Sequence, residues 1–222
     1  MILSLHQPQY LPYLGYFDKI AKSDCFVFLD CVQYKKREFQ NRNKIRTKDG
    51  WIWLTVPVIS KNKSSQQINE VLINNSVSWQ KKHLKSIICY YRNAKYFNEY
   101  IGFFEEIYNK KFERLIDINL TIIYYLLEQF SIKTKIFFES SLSISTKKTQ
   151  RIIDICKKLN ADTYLSGIGG KDYLDEELFK KENIKLIYQD FKHPVYRQCY
   201  EPFIPYMSAI DFLFNCGKEF KI

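Results

Sequence analysis

Two short apolar segments near the start of the chain restrict the fold more than any other feature. Residues 2–5 and 25–29 show no regular polar alternation, which is typical of strands that are covered on both faces. Residues 14–21, between them, have apolar side chains at helical spacing. This order predicts a β-α-β unit of a parallel sheet, so we expect the residues that follow the two strands to share one sheet edge, where ligands of such sheets bind.

Strand and helix patterns alternate again in the second half of the chain. They predict strands at 135–138, 163–165 and 185–188 and helices at 149–159, 175–181 and 208–214. We therefore expect an α/β fold with a mostly parallel, Rossmann-like sheet, of which a HUP-type nucleotidyltransferase-like sheet is one version.

The middle of the chain predicts an insertion. Residues 44–47 and 51–58 flank Asp49-Gly50, a pair that favours the tight turn of an antiparallel hairpin. Residues 78–130 lack proline and carry helical spacing, enough for two or three helices. The polar residues 60–67 are typical of a mobile loop that serves as a lid. We expect one α/β domain over residues 1–222, with a hairpin and helical region inserted at about 43–130.

The apolar segments are all too short to cross a bilayer, which takes roughly 18 to 20 residues. His6, Gln7 and Pro8 also lie where a secretory signal would have its apolar stretch. We therefore expect a soluble, cytoplasmic protein without a membrane span. The six cysteines form no Cys-x-x-Cys pair, so buried free thiols explain them better than disulfides or zinc, and we expect no metal site.

The net charge of +10 does not identify a ligand. A basic surface attracts nucleic acids, anionic lipids and phosphorylated metabolites alike, and scattered lysines also serve only to keep a surface solvated. Only a local cluster of cations therefore indicates a binding site.

One local cluster of cations and amides follows the second predicted strand. Arg and Lys neutralise phosphate oxygens, whereas Asn and Gln form directional bonds to a sugar or a base, so the cluster suits a nucleotide-linked ligand. A solvated surface is the alternative interpretation. The expected ligand-binding residues here are Asp30, Gln33, Arg37, Asn41, Arg42, Asn43 and Lys44.

A polar loop with two prolines connects the first predicted strand to its helix. Prolines hold such a loop rigid, and the N-terminus of the helix near Gly15 points unpaired amides at an anion. A histidine in this loop can bind phosphate or act as a general acid, or it can simply cap the sheet through a backbone hydrogen bond. We expect His6 to be catalytic, and the expected ligand-binding residues are Gln7, Gln9, Tyr10 and Gly15.

A glycine-rich loop at 166–173 follows another predicted strand. Its glycines allow backbone amides to approach an oxyanion, and its lysine adds positive charge. The spacing is neither that of a Walker A loop nor that of the Rossmann dinucleotide fingerprint, so it predicts anion or ligand binding without naming the nucleotide; a tight turn is the alternative. We expect Lys171 to be catalytic, and the expected ligand-binding residues are Ser166, Gly167, Gly169, Gly170 and Tyr173.

Two further histidines are candidates. His193 follows the strand at 185–188 and, with His6, would place two imidazoles around one pocket for proton transfer. The expected ligand-binding residues of this segment are Gln189 and Tyr196. His83 shares a helical face with Trp79; it is a further binding candidate, although a place on the helix surface is the simpler interpretation.

Taken together, these segments resemble the WbqC-like proteins of bacterial O-antigen and other surface-polysaccharide gene clusters. The resemblance covers nearly the whole chain and is carried by residues 6–17, 39–45, 53–58, 73–75, 166–174 and 189–196. It implies a role in making or modifying an amino sugar for a cell-surface glycan, without specifying the reaction. Residues 145–151 depart from the usual family pattern, so no role is transferred to that loop.

The first strand, the His6 loop and the Gly15 helix are also similar to the start of HIGH-type nucleotidyltransferases and pantothenate-synthetase-like ligases. That likeness implies ATP, with Mg, on the helix N-terminus and a carboxylate activated as an acyl-adenylate. The second histidine of the motif is absent, and Tyr16 lies near its place.

We therefore expect an acyl or aminoacyl transferase, or an ATP-dependent amide ligase, that N-acylates or aminoacylates an amino sugar linked to dTDP or UDP. Its second substrate would be a small carboxylic acid, an amino acid or an acyl donor. A glycosyltransferase is disfavoured because no Asp-x-Asp motif follows a strand, and a noncatalytic nucleotide-sugar-binding partner would bind without turnover. Charge and aromatic content also suggest a nucleic-acid-binding protein, but we expect no nucleic-acid partner.

Overall fold

A parallel sheet forms the centre of the fold, and two antiparallel strands form a separate hairpin. In the computed structural model, the described residues are 1–61 and 65–220. The strands are β1 (Ile2–His6), β2 (Cys25–Phe28), β3 (Arg42–Thr47), β4 (Gly50–Thr55), β5 (Lys135–Phe138), β6 (Thr163–Ser166) and β7 (Lys185–Tyr188). The α-helices are α1 (Leu14–Ala21), α2 (Trp79–Tyr91), α3 (Phe97–Asn109), α4 (Leu115–Gln129), α5 (Lys148–Lys158), α6 (Glu176–Lys181) and α7 (Ala209–Cys216).

The strand order of the sheet is β5-β2-β1-β6-β7, and every neighbouring pair is parallel. From β1 the chain moves outward to β2 and β5, then crosses back to β6 and continues to β7 on the other side. The order therefore reverses between β1 and β6. This confirms the predicted Rossmann-like sheet and defines its topological switch point.

The sheet is covered on both faces, which explains why its strands lack polar alternation. In β2, Phe26 and Phe28 belong to the larger hydrophobic core, which they share with α1 to α4 and α7. Cys25 and Val27 point to the opposite face and join the smaller core under α5 and α6. Because successive side chains of a strand alternate between faces, an all-apolar strand requires a layer of helices on each side.

The hairpin and the three helices α2 to α4 occupy the connection between β2 and β5, which are neighbours in the sheet. The predicted hairpin is confirmed: Thr47 pairs with Gly50, whose φ of 129° is readily adopted by glycine alone. The predicted lid at 60–67 includes residues 62–64, which lie outside the described residues.

Two further expectations concern membranes and thiols. In the part of the chain that the structure describes, no helix has the length and apolar character that a membrane crossing needs. All six cysteines are free, and Cys25 and Cys156 are buried as predicted. Burial is wrong for Cys89, which lies on the exposed face of α2 although its neighbours in sequence are apolar.

Candidate active site

A cavity of about 220 Å³ lies where β1 and β6 end, at the switch point of the sheet. Open α/β sheets bind their ligands in the crevice at this point. Its walls consist of Leu5, His6, Gln7, Lys19, Leu29, Tyr164, Ser166, Gly167, Gly169, Gly170 and Tyr173. We call it the inner cavity. It brings the His6 loop and the glycine-rich loop together, as the sequence predicts.

Two further cavities continue from the inner cavity along the protein surface. His6 and Gln7 also line a middle cavity of about 270 Å³, whose other wall residues are Gln9, Lys35, Glu38, Phe39 and Gln40. Phe39 in turn lines an outer cavity of about 270 Å³ with Tyr13, Lys44 and Tyr206. Because neighbouring cavities share wall residues, we treat the three as one cleft.

His6 ends β1 and stands between the inner and middle cavities. Its Nδ1 lies 3.2 Å from the carbonyl oxygen of Gln7. A carbonyl oxygen only accepts, so Nδ1 carries the hydrogen and Nε2 carries the lone pair. Burial, together with the nearby charge of Lys19, lowers the pKa of His6 to about 3. The imidazole is therefore neutral near pH 7, which suits a hydrogen-bond acceptor better than the general acid considered from the sequence.

Lys19 is a wall residue of the inner cavity that the sequence analysis did not find. It lies in α1, its side chain is buried, and its Nζ donates a hydrogen bond of 3.0 Å to the carbonyl oxygen of Leu5. Burial lowers the pKa of Lys19 to about 7. A lysine in a surface-like helix pattern gives no sequence signal that it is buried.

The glycine-rich loop forms a short 3-10 helix, Ile168–Asp172, directly after β6. Gly170 is tightly packed, because an added Cβ would lie 2.0 Å from the Oγ of Ser166 and 3.0 Å from a methyl carbon of Leu174. An added Cβ at Gly167 or Gly169 would meet nothing within 4 Å, so packing does not require glycine at these two positions. Lys171 is exposed and places its Nζ 5.2 Å from the ring centre of Tyr188; it is not among the wall residues of the inner cavity.

Gln9 has an unpaired buried acceptor in the middle cavity. The residue is 8% exposed, and its Oε1 has no hydrogen-bond partner in the described structure. Leaving a buried acceptor unpaired costs about 1 to 3 kcal/mol. Because Gln9 lines the cavity, a small rotation of its side chain that exposes Oε1 would let a ligand hydroxyl or N–H group supply the missing hydrogen bond.

The cluster at 30–44 divides into cleft residues and structural residues. Of the predicted set only Lys44 lines the cleft. The Nδ2 atoms of Asn41 and Asn43 donate hydrogen bonds of 2.8 Å to the carbonyl oxygens of Val56 and Leu11, which tie the hairpin to the core. Asp30 accepts a hydrogen bond of 3.0 Å from the backbone N–H of Ser140 and so joins the ends of β2 and β5.

The other residues of this cluster lie around the hairpin. Arg42 stacks its guanidinium 4.2 Å above the Trp53 ring and donates to the carbonyl oxygen of Arg37. Gln33 is exposed and forms an isolated backbone bridge with Gln67. Ligand binding by these residues stays a prediction.

Tyr10 and His83 form a buried pair away from the cleft walls. The hydroxyl of Tyr10 lies 2.7 Å from Nδ1 of His83 and 2.5 Å from the hydroxyl of Tyr108. A place for His83 on the helix surface is therefore wrong, since the residue is 5% exposed and packs 5.2 Å from the Trp79 ring. Burial lowers the pKa of His83 to about 4.

The segment after β7 closes over α1. Gln189 donates hydrogen bonds of 2.8 Å to the carbonyl oxygen of Gly15 and of 2.6 Å to Oδ2 of Asp18. An added Cβ at Gly15 would lie 2.5 Å from the Tyr13 ring and 2.8 Å from the Phe191 ring, so packing at the start of the helix requires this glycine.

His193 lies apart from His6. Its Nδ1 is 2.9 Å from the carbonyl oxygen of Pro194, and its ring packs 5.1 Å from that of Tyr206. The hydroxyl of Tyr196 donates a hydrogen bond of 2.7 Å to Oδ2 of Asp211. The structure therefore does not place His193 or Tyr196 in the cavity walls that contain His6. No group of three or more His, Cys, Asp or Glu that could hold a metal ion occurs within residues 1–61 and 65–220.

Fold and cleft define a class of protein: a doubly wound α/β protein with a polar cleft at its switch point. The chain belongs to the WbqC-like protein family, because the model of that family matches residues 7–221. This confirms the family resemblance. The chain is also 32% identical over 219 residues to the uncharacterized protein Rv1507c of Mycobacterium tuberculosis, covering 98% of this chain and 94% of that protein. No solved structure gives a significant match.

Proposed function

We propose that this protein is an enzyme of surface-polysaccharide biosynthesis, including that of O-antigen, which N-acylates or aminoacylates an amino sugar linked to dTDP or UDP. The observation that carries the proposal is the row of three adjoining cavities that begins at the switch point of the sheet. Their wall residues suit, in order, the reacting amine, the sugar hydroxyls, and the base with its phosphates.

The outer cavity suits the nucleotide. Phe39 is 40% exposed and Tyr206 is 51% exposed, and the Tyr206 ring lies 6.3 Å from that of Tyr13. Stacking of a base on such rings contributes about 1 to 3 kcal/mol. Lys44 lines the same cavity and supplies positive charge for the phosphates.

The middle cavity suits the sugar ring. The unpaired Oε1 of Gln9 accepts from a hydroxyl, and Glu38 offers a second acceptor. Lys35 lies in the same wall and adds a cation next to the nucleotide end. Acceptors and a cation side by side match a molecule that carries hydroxyls and phosphates.

The inner cavity suits the reaction itself. An amide forms when an unprotonated amine attacks an acyl carbon, and the amine must be oriented for that attack. The Nε2 of neutral His6 accepts a hydrogen bond from an N–H of the sugar amine. The lone pair of the sugar amine then points away from the imidazole. Gly167 and Gly169 leave room opposite for a small acyl group.

ATP, with Mg, is the activating cofactor that the HIGH-type likeness suggests. The rings of Tyr13 and Phe191 lie close to Gly15 and crowd the helix N-terminus on which that likeness would place the phosphates. The assay therefore compares an acid activated by ATP with a preformed acyl donor.

The test is an assay of the pure protein with a dTDP- or UDP-linked amino sugar and a panel of small acids and amino acids, with and without ATP, and with acyl thioesters. We expect an amide-linked product by mass spectrometry. Release of AMP or ADP together with the product assigns an ATP-dependent ligase, and product from the thioester alone assigns a transferase. Saturable binding of the sugar without any product contradicts catalysis and indicates a noncatalytic partner.

Nucleic-acid binding is distinguished in a parallel titration. A nucleotide-sugar site saturates with one ligand, whereas binding to DNA or RNA through phosphate contacts weakens steeply with salt. Tight, steeply salt-dependent binding to nucleic acid without affinity for nucleotide sugars would contradict the proposal.

A further inference from the structure

Lys19 is a buried amine in the wall of the inner cavity, and the roles assigned above leave it unused. The residue is 4% exposed. Its Nζ donates a hydrogen bond of 3.0 Å to the carbonyl oxygen of Leu5. An amine that donates one hydrogen bond to a backbone carbonyl still has further N–H groups and, when unprotonated, a lone pair. Nζ is therefore able to contact a ligand in the cavity.

The packing of α1 on β1 explains how the amine reaches this position. Ser4 and His6 lie on the same face of β1, because side chains two residues apart share a face. Ser4 is small and completely buried, and its Oγ lies 3.4 Å from the carbonyl oxygen of Lys19. The Lys19 side chain therefore extends over Ser4 toward the end of β1, where the cavity begins.

No carboxylate neutralises Lys19 in the described part of the chain. The walls of the inner cavity contain no Asp or Glu, and the adjacent Asp18 is paired with Lys22 at 2.8 Å. The other titratable wall residues are His6, Tyr164 and Tyr173; burial lowers the pKa of His6 and raises the pKa of both tyrosines, which keeps all three uncharged near neutral pH. Burial without a counter-ion lowers the pKa of Lys19 to about 7.

We propose that Lys19 is the general base of the cleft, which takes a proton from the ammonium group of the substrate sugar. The proposal rests on the function proposed above. The lone pair of Nζ accepts the proton, which leaves an uncharged sugar amine. The amine nitrogen then bonds to the acyl carbon, the bond to the leaving group breaks with its electron pair, and the second amine proton departs with that group. Lys19 finally returns its proton to solvent.

Base strength distinguishes Lys19 from His6 in this role. An amine next to electron-withdrawing groups, such as an α-amino group, has a pKa of about 7.7 to 8.0. A base with a pKa near 7 matches such an ammonium group, whereas His6, at about 3, is too weak.

A labelling experiment tests the amine without any assay of function. The native protein is treated with limiting formaldehyde and cyanoborohydride across a series of pH values, and methylation of each lysine is measured by peptide mass spectrometry. We expect the reactivity of Lys19 to rise with a midpoint near pH 7. Lys22, exposed at the C-cap of the same helix, is the internal control, and its labelling is compared with that of Lys19 at each pH. Lys19 that stays unlabelled, or that follows Lys22, overturns the proposal.

Two variants test the role in the reaction. Lys19→Met removes the amine, and Lys19→Arg keeps a hydrogen-bond donor that is not deprotonated at working pH. We expect kcat at pH 7 to fall about 100- to 10,000-fold in both, with little change in KM. The deficit of Lys19→Met should shrink toward pH 9, where solvent deprotonates the sugar amine. A deficit that is constant with pH, in a variant whose thermal unfolding is unchanged, indicates a structural role and overturns the proposal.

The controls separate the two proposals. Lys85→Met should acylate as fast as the parent protein, since Lys85 is exposed on α2 and is not a wall residue of the cleft. If the parent protein forms no amide, the acylation function fails, and the labelling result alone then decides whether Lys19 is a reactive, unprotonated amine in the cavity.

Discussion

His6 and Lys19 are both shifted toward their uncharged forms because they lie where β1 ends inside the protein. Each has one hydrogen bond to a backbone carbonyl, and neither has a carboxylate partner in the described structure. Removing such groups from water disfavours the charged state. The inner cavity thus presents lone pairs, and lone pairs are what a reaction of an amine with an acyl group requires.

The first prediction at this scale separates the two histidines named from the sequence. Replacing His6 by Leu removes the Nε2 acceptor, and we expect kcat for acylation to fall roughly 10- to 100-fold, the loss of one hydrogen bond to the reacting amine. His193→Leu is the matched control, because His193 is not in the walls around His6. Equal losses in the two variants, with unchanged unfolding temperatures, would return His193 to the active site.

The second prediction concerns the glycine-rich loop. In Gly170→Ala the new methyl group collides with Ser166, so we expect a loss of stability of about 1 to 3 kcal/mol in urea unfolding. Gly169→Ala is the control, since its methyl group meets no atom within 4 Å; its stability should stay within about 0.5 kcal/mol of the parent. If both variants are equally stable, the loop does not have the tight packing described above.

The third prediction concerns the pH dependence of stability. The pKa of His83 is about 4 in the folded protein and 6.5 without burial, so the unfolded chain binds more protons between these values. Stability should therefore fall as the pH drops from 6.5 to 4. His83→Gln should show a smaller fall over the same range in denaturant titrations. An unchanged pH dependence in the variant would mean that His83 is not held neutral by burial.

At the scale of elements, one buried cation joins the hairpin to the C-terminal segment. Arg46, in β3, is 1% exposed. Its guanidinium donates to the carbonyl oxygens of Thr47, Gly50 at 2.7 Å and Pro202 at 2.8 Å, and to Oε1 of Gln198 at 3.3 Å. These bonds fix the hairpin against the segment that carries Tyr206 in the outer cavity.

The fourth prediction follows from this junction. Arg46→Met leaves several buried carbonyl groups unpaired, so we expect a loss of about 3 kcal/mol or more in the free energy of unfolding. Arg42→Met is the control on the same strand, because Arg42 is only half-buried, and its loss should be below about 1 kcal/mol. Similar losses in both variants would contradict a special role for Arg46.

Elements were predictable where short-range patterns decide them. The bounds of α1 and β7 match the sequence prediction, and Asp175 caps α6, with its Oδ1 accepting from the N–H of Leu178 at 3.0 Å. The end of β4 was placed too late, at 58. The N–H of Val56 still bonds to the carbonyl oxygen of Asn41 next to β3, but Pro57 has no N–H with which to continue the ladder.

The site was predictable at the level of loops but less so at the level of side chains. Parallel strand order brings the loops after β1 and β6 together, and the structure confirms that juxtaposition of His6 with Ser166. The direction of individual side chains depends on packing, so Lys171 turns to Tyr188 instead. Lys19 was missed for the same reason, since its burial is decided by β1, a partner distant in the sequence pattern.

At the scale of the whole molecule, the two hydrophobic cores lie on opposite faces of the sheet. The cleft begins at the edge of the sheet where β1 and β6 end. Its inner cavity belongs to the sheet, while its outer cavity is built by the inserted hairpin and the C-terminal segment through Lys44 and Tyr206. The insertion between β2 and β5 thus extends the pocket at the sheet edge into a longer groove.

The location of bound ligand tests this account most directly. A crystal structure of the protein with a dTDP- or UDP-linked amino sugar should show the amine within hydrogen-bonding distance of His6 and Lys19, a sugar hydroxyl on Gln9, and the base between Phe39 and Tyr206. Ligand bound elsewhere, for example in the cavity lined by Asn93, Arg197 and Asn215, with the His6 cavity empty, would contradict it.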